Sequence, residues 1–328
     1  MWVTVETAVC RLTSPQSEIE QEWRAIFGRH FCTETRPQTS ETAALHLQLV
    51  DQLPAWPTTA PLFTGTPGQD VISVYTDDDH WWLHFLDGAL VRVPQNAMPN
   101  ETAVLTGWVT APAMQNRRLE DITFTGLAPV LRRKGIYLLH AFAVCANGRS
   151  LLLVGPSHSG KTTTGLWLLA NGWKMLANDV VALTASEGGV TACPTPNLVG
   201  IRPPTLGLVP YWHAFVAKEA SSRGYAEVSS DLFVNGRYPS AAPAATICFM
   251  ARSQSPTSTL TPLSPAIALS KLMAESVDRW DTAVLPAHTA FLAQLVQQAA
   301  CYQLTVGNHP DSLADVLPHL QSPISNPT

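Results

Sequence analysis

One octapeptide of the chain has a clear chemical use. Gly155-Pro156-Ser157-His158-Ser159-Gly160-Lys161-Thr162 fits the pattern GxxxxGK[ST]. In such a loop successive backbone N–H groups, with the positive end of the following helix dipole, wrap the β- and γ-phosphates of a nucleotide. Gly155 and Gly160 allow backbone geometry and close approach that a side chain would obstruct. Lys161 supplies a mobile positive charge for the phosphate oxygens, and the Thr162 hydroxyl is placed to ligate Mg²⁺. Ser157, His158, Ser159 and Thr163 complete the set expected around the phosphates, and His158 could bond a phosphate or reach an acceptor. Asp179 follows Lys161 at a distance that fits a helix, a turn and a return strand. There it could hold Mg²⁺, or accept the proton of an attacking hydroxyl. Together these residues imply binding of ATP with Mg²⁺ and transfer of its γ-phosphoryl group.

The chemistry needs a strand before the loop and a helix after it, and the sequence offers both. Leu151-Leu152-Leu153-Val154 is a buried-type strand, and residues 162–171 read as a helix ended by Asn171-Gly172. Strands follow at 173–177 and 180–183, around Asn178-Asp179. If the first runs parallel to Leu151–Val154, both carboxyl ends meet at one sheet edge, where ligands bind in open α/β sheets. A β-run at 136–145 and a turn at Asn147-Gly148 precede the loop strand. Further on, 244–251 and 302–306 read as strands and 265–275 and 288–300 as helices. The stretch 194–210, with five prolines, reads as loop. Upstream, 16–27 reads as an amphipathic helix, 36–69 as an irregular connector, and 70–76, 80–86 and 89–93 as an antiparallel meander. Trp81 and Trp82 adjoin on that meander, so one ring should face outward. Residues 119–134 have helical spacing interrupted by Gly126 and Pro129, with Gly135 as stop signal. The tail after Gln321 is polar and reads as disordered.

The stretch from His140 to Asp179 resembles the catalytic domain of bacterial HPr serine kinase/phosphorylase and its relatives in peptide-modifying gene clusters. That family has a histidine at the same spacing before the first loop glycine, and an Asp-Asp pair after the loop helix; here these positions are His140 and Asn178-Asp179. The run Arg132-Arg133-Lys134 before His140 looks more like the peptide-cluster relatives. The resemblance implies an α/β fold, a P-loop kinase core of the HPr kinase/PEP carboxykinase type at 118–320, with a smaller β-rich domain at 1–117 and a tail at 321–328. It implies Asp179 as general base, His140 as its assistant, and an oligomer, often a hexamer. The departures are Asn178 for the first aspartate, Thr163 at an acidic position, and Gly200-Ile201-Arg202 where the family has Glu-x-Arg. With those carboxylates and a metal-binding glutamate missing, forward kinase chemistry is favoured over phosphorolysis. Arg202 and Arg237 are loop arginines that could neutralise transition-state charge.

Composition limits the alternatives. The 328 residues are 46% apolar and 14% charged, with net charge −5, so a packed core is expected and a nucleic-acid footprint is not. Six scattered cysteines without metal-ligand spacing suit reduced thiols, and no apolar run approaches a membrane span, so a cytoplasmic protein is expected. The acceptor is read as a Ser or Thr hydroxyl of a peptide or small protein, a class that includes biosynthetic precursor peptides. A kinase of a small hydroxylated metabolite such as free serine, and a nucleotide-dependent regulator without an acceptor, are the rival readings.

Overall fold

The computed structural model describes residues 1–57, 60–65, 72–96, 101–115, 118–213, 226–234, 237–275 and 280–321. The chain is a mixed α/β protein that divides into two compact units, residues 1–137 with 277–286, and residues 138–276 with 287–328. The dividing line lies after Tyr137, so the helix Leu119–Arg133 belongs to the first unit rather than heading the second, as a boundary at 117/118 would have it.

The first unit is built on a nine-stranded sheet. Its centre is parallel: Glu41–Leu49 lies between Ala8–Thr13 and Ala103–Val109. The expected meander of Ile72–Thr76, His80–Phe85 and Ala89–Pro94 extends it antiparallel to one side. Glu41–Leu49 falls inside the stretch read as an irregular connector. Its Thr42, Ala43, Ala44, Leu45 and Leu47 are buried, and such a strand shows no clean alternation. Alanine is also a weak strand former, and both partners are remote in sequence. Trp81 points inward, while the outward ring of Trp82 stacks on Trp108 with centroids 6.2 Å apart and lies under the Arg92 guanidinium.

The helices Ser17–Phe31 and Leu119–Arg133 pack in this unit, joined by Trp23 Nε1 donating to Thr123 Oγ1 at 2.9 Å and by Phe27 against Phe124. The second helix runs on through Gly126 and Pro129. It stops where expected, as Gly135 at φ 76° donates to the Arg132 carbonyl. Arg132 and Arg133 both pair with the buried Asp281 carboxylate.

In the second unit the strand Arg149–Val154 carries the glycine loop. It pairs antiparallel with Ile136–Ala146 and parallel with Ala242–Arg252, which pairs in turn with Ala300–Val306. The Ile136–Ala146 hairpin turns at Asn147-Gly148, both with positive φ (52° and 71°), as a type I′ turn requires. Lys174–Ala177 flanks the other side of Ile136–Ala146, antiparallel to it. It therefore runs in the same direction as the loop strand, and the two carboxyl ends point to one edge.

The helix Lys161–Ala170 packs on this sheet over Phe142, Val144, Leu151 and Leu153. Its approach is close: a Cβ on Gly165 would lie 2.3 Å from the Phe142 ring. The proline-rich stretch read as loop holds a strand at Leu198–Ile201 and a helix at Pro203–Leu208. Pro203 and Pro204 occupy the first turn of that helix, where a missing N–H costs nothing. The tail after Gln321 lies outside the described residues. No helix among the described residues is long and apolar enough to cross a membrane.

Candidate active site

The loop between Val154 and the helix Lys161–Ala170 bends through three residues with positive φ: Gly155 (154°), His158 (67°) and Gly160 (100°). Side chains are excluded at its start. A Cβ on Gly155 would stand 3.1 Å from Ser159 Oγ and 3.3 Å from the Met250 carbonyl oxygen. The Ser159 hydroxyl is buried without a hydrogen-bond partner, an orphaned polar atom within the loop itself. The Lys161 ammonium folds back over the loop and donates to the Gly155 carbonyl at 2.6 Å and the Pro156 carbonyl at 3.3 Å. Burial pushes its pKa below the ordinary lysine value, while the charges of Asp179 and Glu275 pull the other way. A cation held in this way on loop carbonyls can exchange them for phosphate oxygens.

Asp179 enters from the neighbouring strand end. Its carbonyl accepts from the Ala141 N–H at 2.9 Å, which sets the residue beside His140. The preceding Asn178 is buried and pinned: its N–H donates to Asn197 Oδ1 at 3.1 Å and its Nδ2 to the Leu198 carbonyl at 2.8 Å. Asn178 thus braces the turn that presents Asp179, whose own φ of 55° is a left-handed value tolerated by Asp. An asparagine can donate to a carbonyl in this way and an ionised aspartate cannot.

His140 lies between two carboxylates, with Nε2 3.5 Å from Asp179 Oδ1 and Nδ1 3.4 Å from Glu275 Oε2. Burial pushes its pKa down, but pairing with Asp179 and Glu275 outweighs it, and the net shift is upward. For Asp179 desolvation by surrounding protein acts upward. With 59% of the side chain exposed it is only partial, and the pairing with His140 and the charge of Lys161 bring the net shift below the ordinary carboxylate value. The site so sets the Asp179 carboxylate beside the His140 imidazole, each shifted toward its charged form by the other. That pair can orient a hydroxyl and accept its proton.

The remaining expected residues divide. Arg202 stands at the loop rim, its Nη1 2.9 Å from His158 Nδ1, so these two come together. The Thr163 hydroxyl lies 3.2 Å from that of Thr205. For Ser157 and Thr162 the finding is their place, in the loop and in the first turn of the helix. Arg237 is exposed and donates its N–H to the Val234 carbonyl. Two residues escaped the sequence reading. Arg252, at the end of the parallel strand Ala242–Arg252, packs its stem 3.6 Å from where a Gly160 Cβ would lie. Glu275 follows the helix Pro265–Ala274. A local signal existed only for Arg252, a basic residue ending a buried-type strand. A small cavity lined by Asn147, Arg149, Trp173 and Thr246 lies at the other end of the loop strand, away from this chemistry.

As for a divalent ion, the described residues contain no cluster of three or more His, Cys, Asp or Glu side chains able to hold one.

No protein-family model matches the chain, and no curated protein matches it. Among solved structures it is similar to the Hpr(Ser) kinase/phosphatase from Coxiella burnetii. The identity is 10%, over 56% of this chain and 99% of that one, with a TM-score of 0.30.

Proposed function

We propose that the chain is an ATP-dependent kinase that transfers the γ-phosphoryl group to a Ser or Thr hydroxyl of a peptide or small protein, a biosynthetic precursor peptide being one such acceptor. The observation that carries the reading is the convergence of Lys161, His140 and Asp179 beside the glycine loop. Each comes from a different strand or helix end. Asp179 accepts the acceptor's proton as the acceptor oxygen bonds to phosphorus, and the bond between phosphorus and the bridging oxygen of ADP breaks. His140 keeps the Asp179 carboxylate ionised and aimed. Lys161 and the loop N–H groups neutralise charge on the phosphate oxygens. Thr162 and Asp179 would hold Mg²⁺ brought with the nucleotide, and the ion would offset the charge of the phosphates. Arg202 and His158, 2.9 Å apart, would contact an acceptor that comes to the loop.

The test is transfer of γ-³²P from ATP, with Mg²⁺, to peptides encoded beside the gene and to free serine. Label on a Ser or Thr of a peptide, absent with Lys161→Ala, is the expected result. Label on serine alone would replace the peptide by a metabolite. Nucleotide binding with label on neither would overturn the kinase reading in favour of a regulator.

A further inference from the structure

We infer that Glu275 is a positioning residue of this site: it grips the His140 ring at Nδ1 and so aims Nε2 at Asp179. The inference rests on the kinase reading for its consequence, though the grip itself is geometric. Two ties run from Glu275 to the same residue. Its Oε2 stands 3.4 Å from His140 Nδ1, and its carbonyl accepts from the His140 N–H at 3.4 Å. Glu275 is itself fixed, because its N–H donates to the Leu272 and Lys271 carbonyls as the C-cap of the helix Pro265–Ala274. Both side chains of the pair are only 19% exposed.

A purely structural role explains the residue poorly. The last turn of a helix carries partial negative charge and favours Lys, Arg or His, so a half-buried carboxylate there is unfavourable unless a cation compensates it. The basic side chains it meets among the described residues are His140 and, at longer range, Lys161. Both belong to the proposed site. A histidine held at one nitrogen presents its other nitrogen in a defined direction, the role that a buried carboxylate plays in a Ser-His-Asp triad. The site thereby gains a second carboxylate, from an element outside the glycine-loop motif, where Asn178 cannot supply one.

The experiment uses the full chain at one fixed pH. ¹⁵N spectra of ring-labelled histidine, recorded without nucleotide, report whether His140 Nδ1 carries a hydrogen-bonded proton. Glu275→Ala should move that signal, and Glu275→Gln, whose carbonyl oxygen can still accept, should move it less. In the transfer assay Glu275→Ala should lower kcat roughly 10- to 100-fold while ATP affinity stays within about threefold, as for other groups that orient a catalytic histidine. Glu275→Gln should recover part of the rate. In a His140→Gln background the Glu275→Ala loss should shrink, because the two act as a unit. An unmoved Nδ1 signal, or a rate loss equally large without His140, would overturn the inference. If the wild-type chain transfers no phosphate, the kinase reading fails, and the spectra still decide whether Glu275 holds His140.

Discussion

His140 Nε2 faces Asp179 Oδ1 at 3.5 Å, and the backbone ties them as well, since the N–H of Ala141 next to His140 donates to the Asp179 carbonyl. This relationship predicts which residue separates binding from chemistry. Asp179→Asn should keep ATP affinity within a few-fold, because affinity comes from the loop, Lys161 and Thr162. It should lower transfer by roughly 10²-fold or more, the usual contribution of a positioned base. Titration of ATP and the rate of phosphate incorporation under saturating ATP are measured as a pair. A surviving rate would shift the base to His140, and a collapse of affinity would make Asp179 chiefly a metal ligand.

The same pair has a pH signature. The folded-state pKa of His140 lies above its ordinary value of 6.5, so the stability it contributes is fully present below that value and is lost as pH rises through the folded pKa. For Asp179 the shift is downward. Its contribution is present above the ordinary value of 3.8 and is lost as pH falls through the folded pKa. The groups facing the ring are Asp179, Glu275 and Lys161. His140→Gln should therefore lower the melting temperature more at pH 5.5 than at pH 9, read by calorimetry. An equal loss at both would mean that the ring is held by packing alone.

Lys161→Ala should abolish the stabilisation of the chain by ATP and leave the fold intact. Among the described residues the ammonium bonds two loop carbonyls, and the two acids it faces, Asp179 and Glu275, both keep His140 as a partner when it is removed. A thermal-shift titration checks both halves at once. Undiminished ATP stabilisation together with undiminished transfer would remove the loop from the mechanism.

Gly165 is the test of how the loop is seated. Adding a methyl there places it 2.3 Å from Cε1 of Phe142, a ring with no exposed surface, so neither can yield cheaply. Gly165→Ala should cost about 1–3 kcal/mol. The double variant with Phe142→Leu should regain part of that. An unchanged melting temperature in the single variant would show that the helix can lift off the sheet at little cost.

Local structure was legible in the residues alone. A glycine pattern between an apolar run and a helical one specifies strand, loop and helix, and the spacing to Asp179 specifies which strand ends must meet, while His140 was marked by the family resemblance. Those elements stand at Arg149–Val154, Lys161–Ala170 and Lys174–Ala177, as their periodicity required. Tertiary structure decided what depends on remote partners. Glu41–Leu49 is a strand because Ala8–Thr13 and Ala103–Val109 pair with both its edges, against the weak preference of its own alanines. Asn178 became a brace because Leu198 brings a carbonyl to it. Glu275 reached His140 because the helix Pro265–Ala274 ends there, and no spacing rule ties a helix end to a strand so far upstream. Pairing energies of this kind arise only when the chain is closed, so they leave no periodic trace in the sequence.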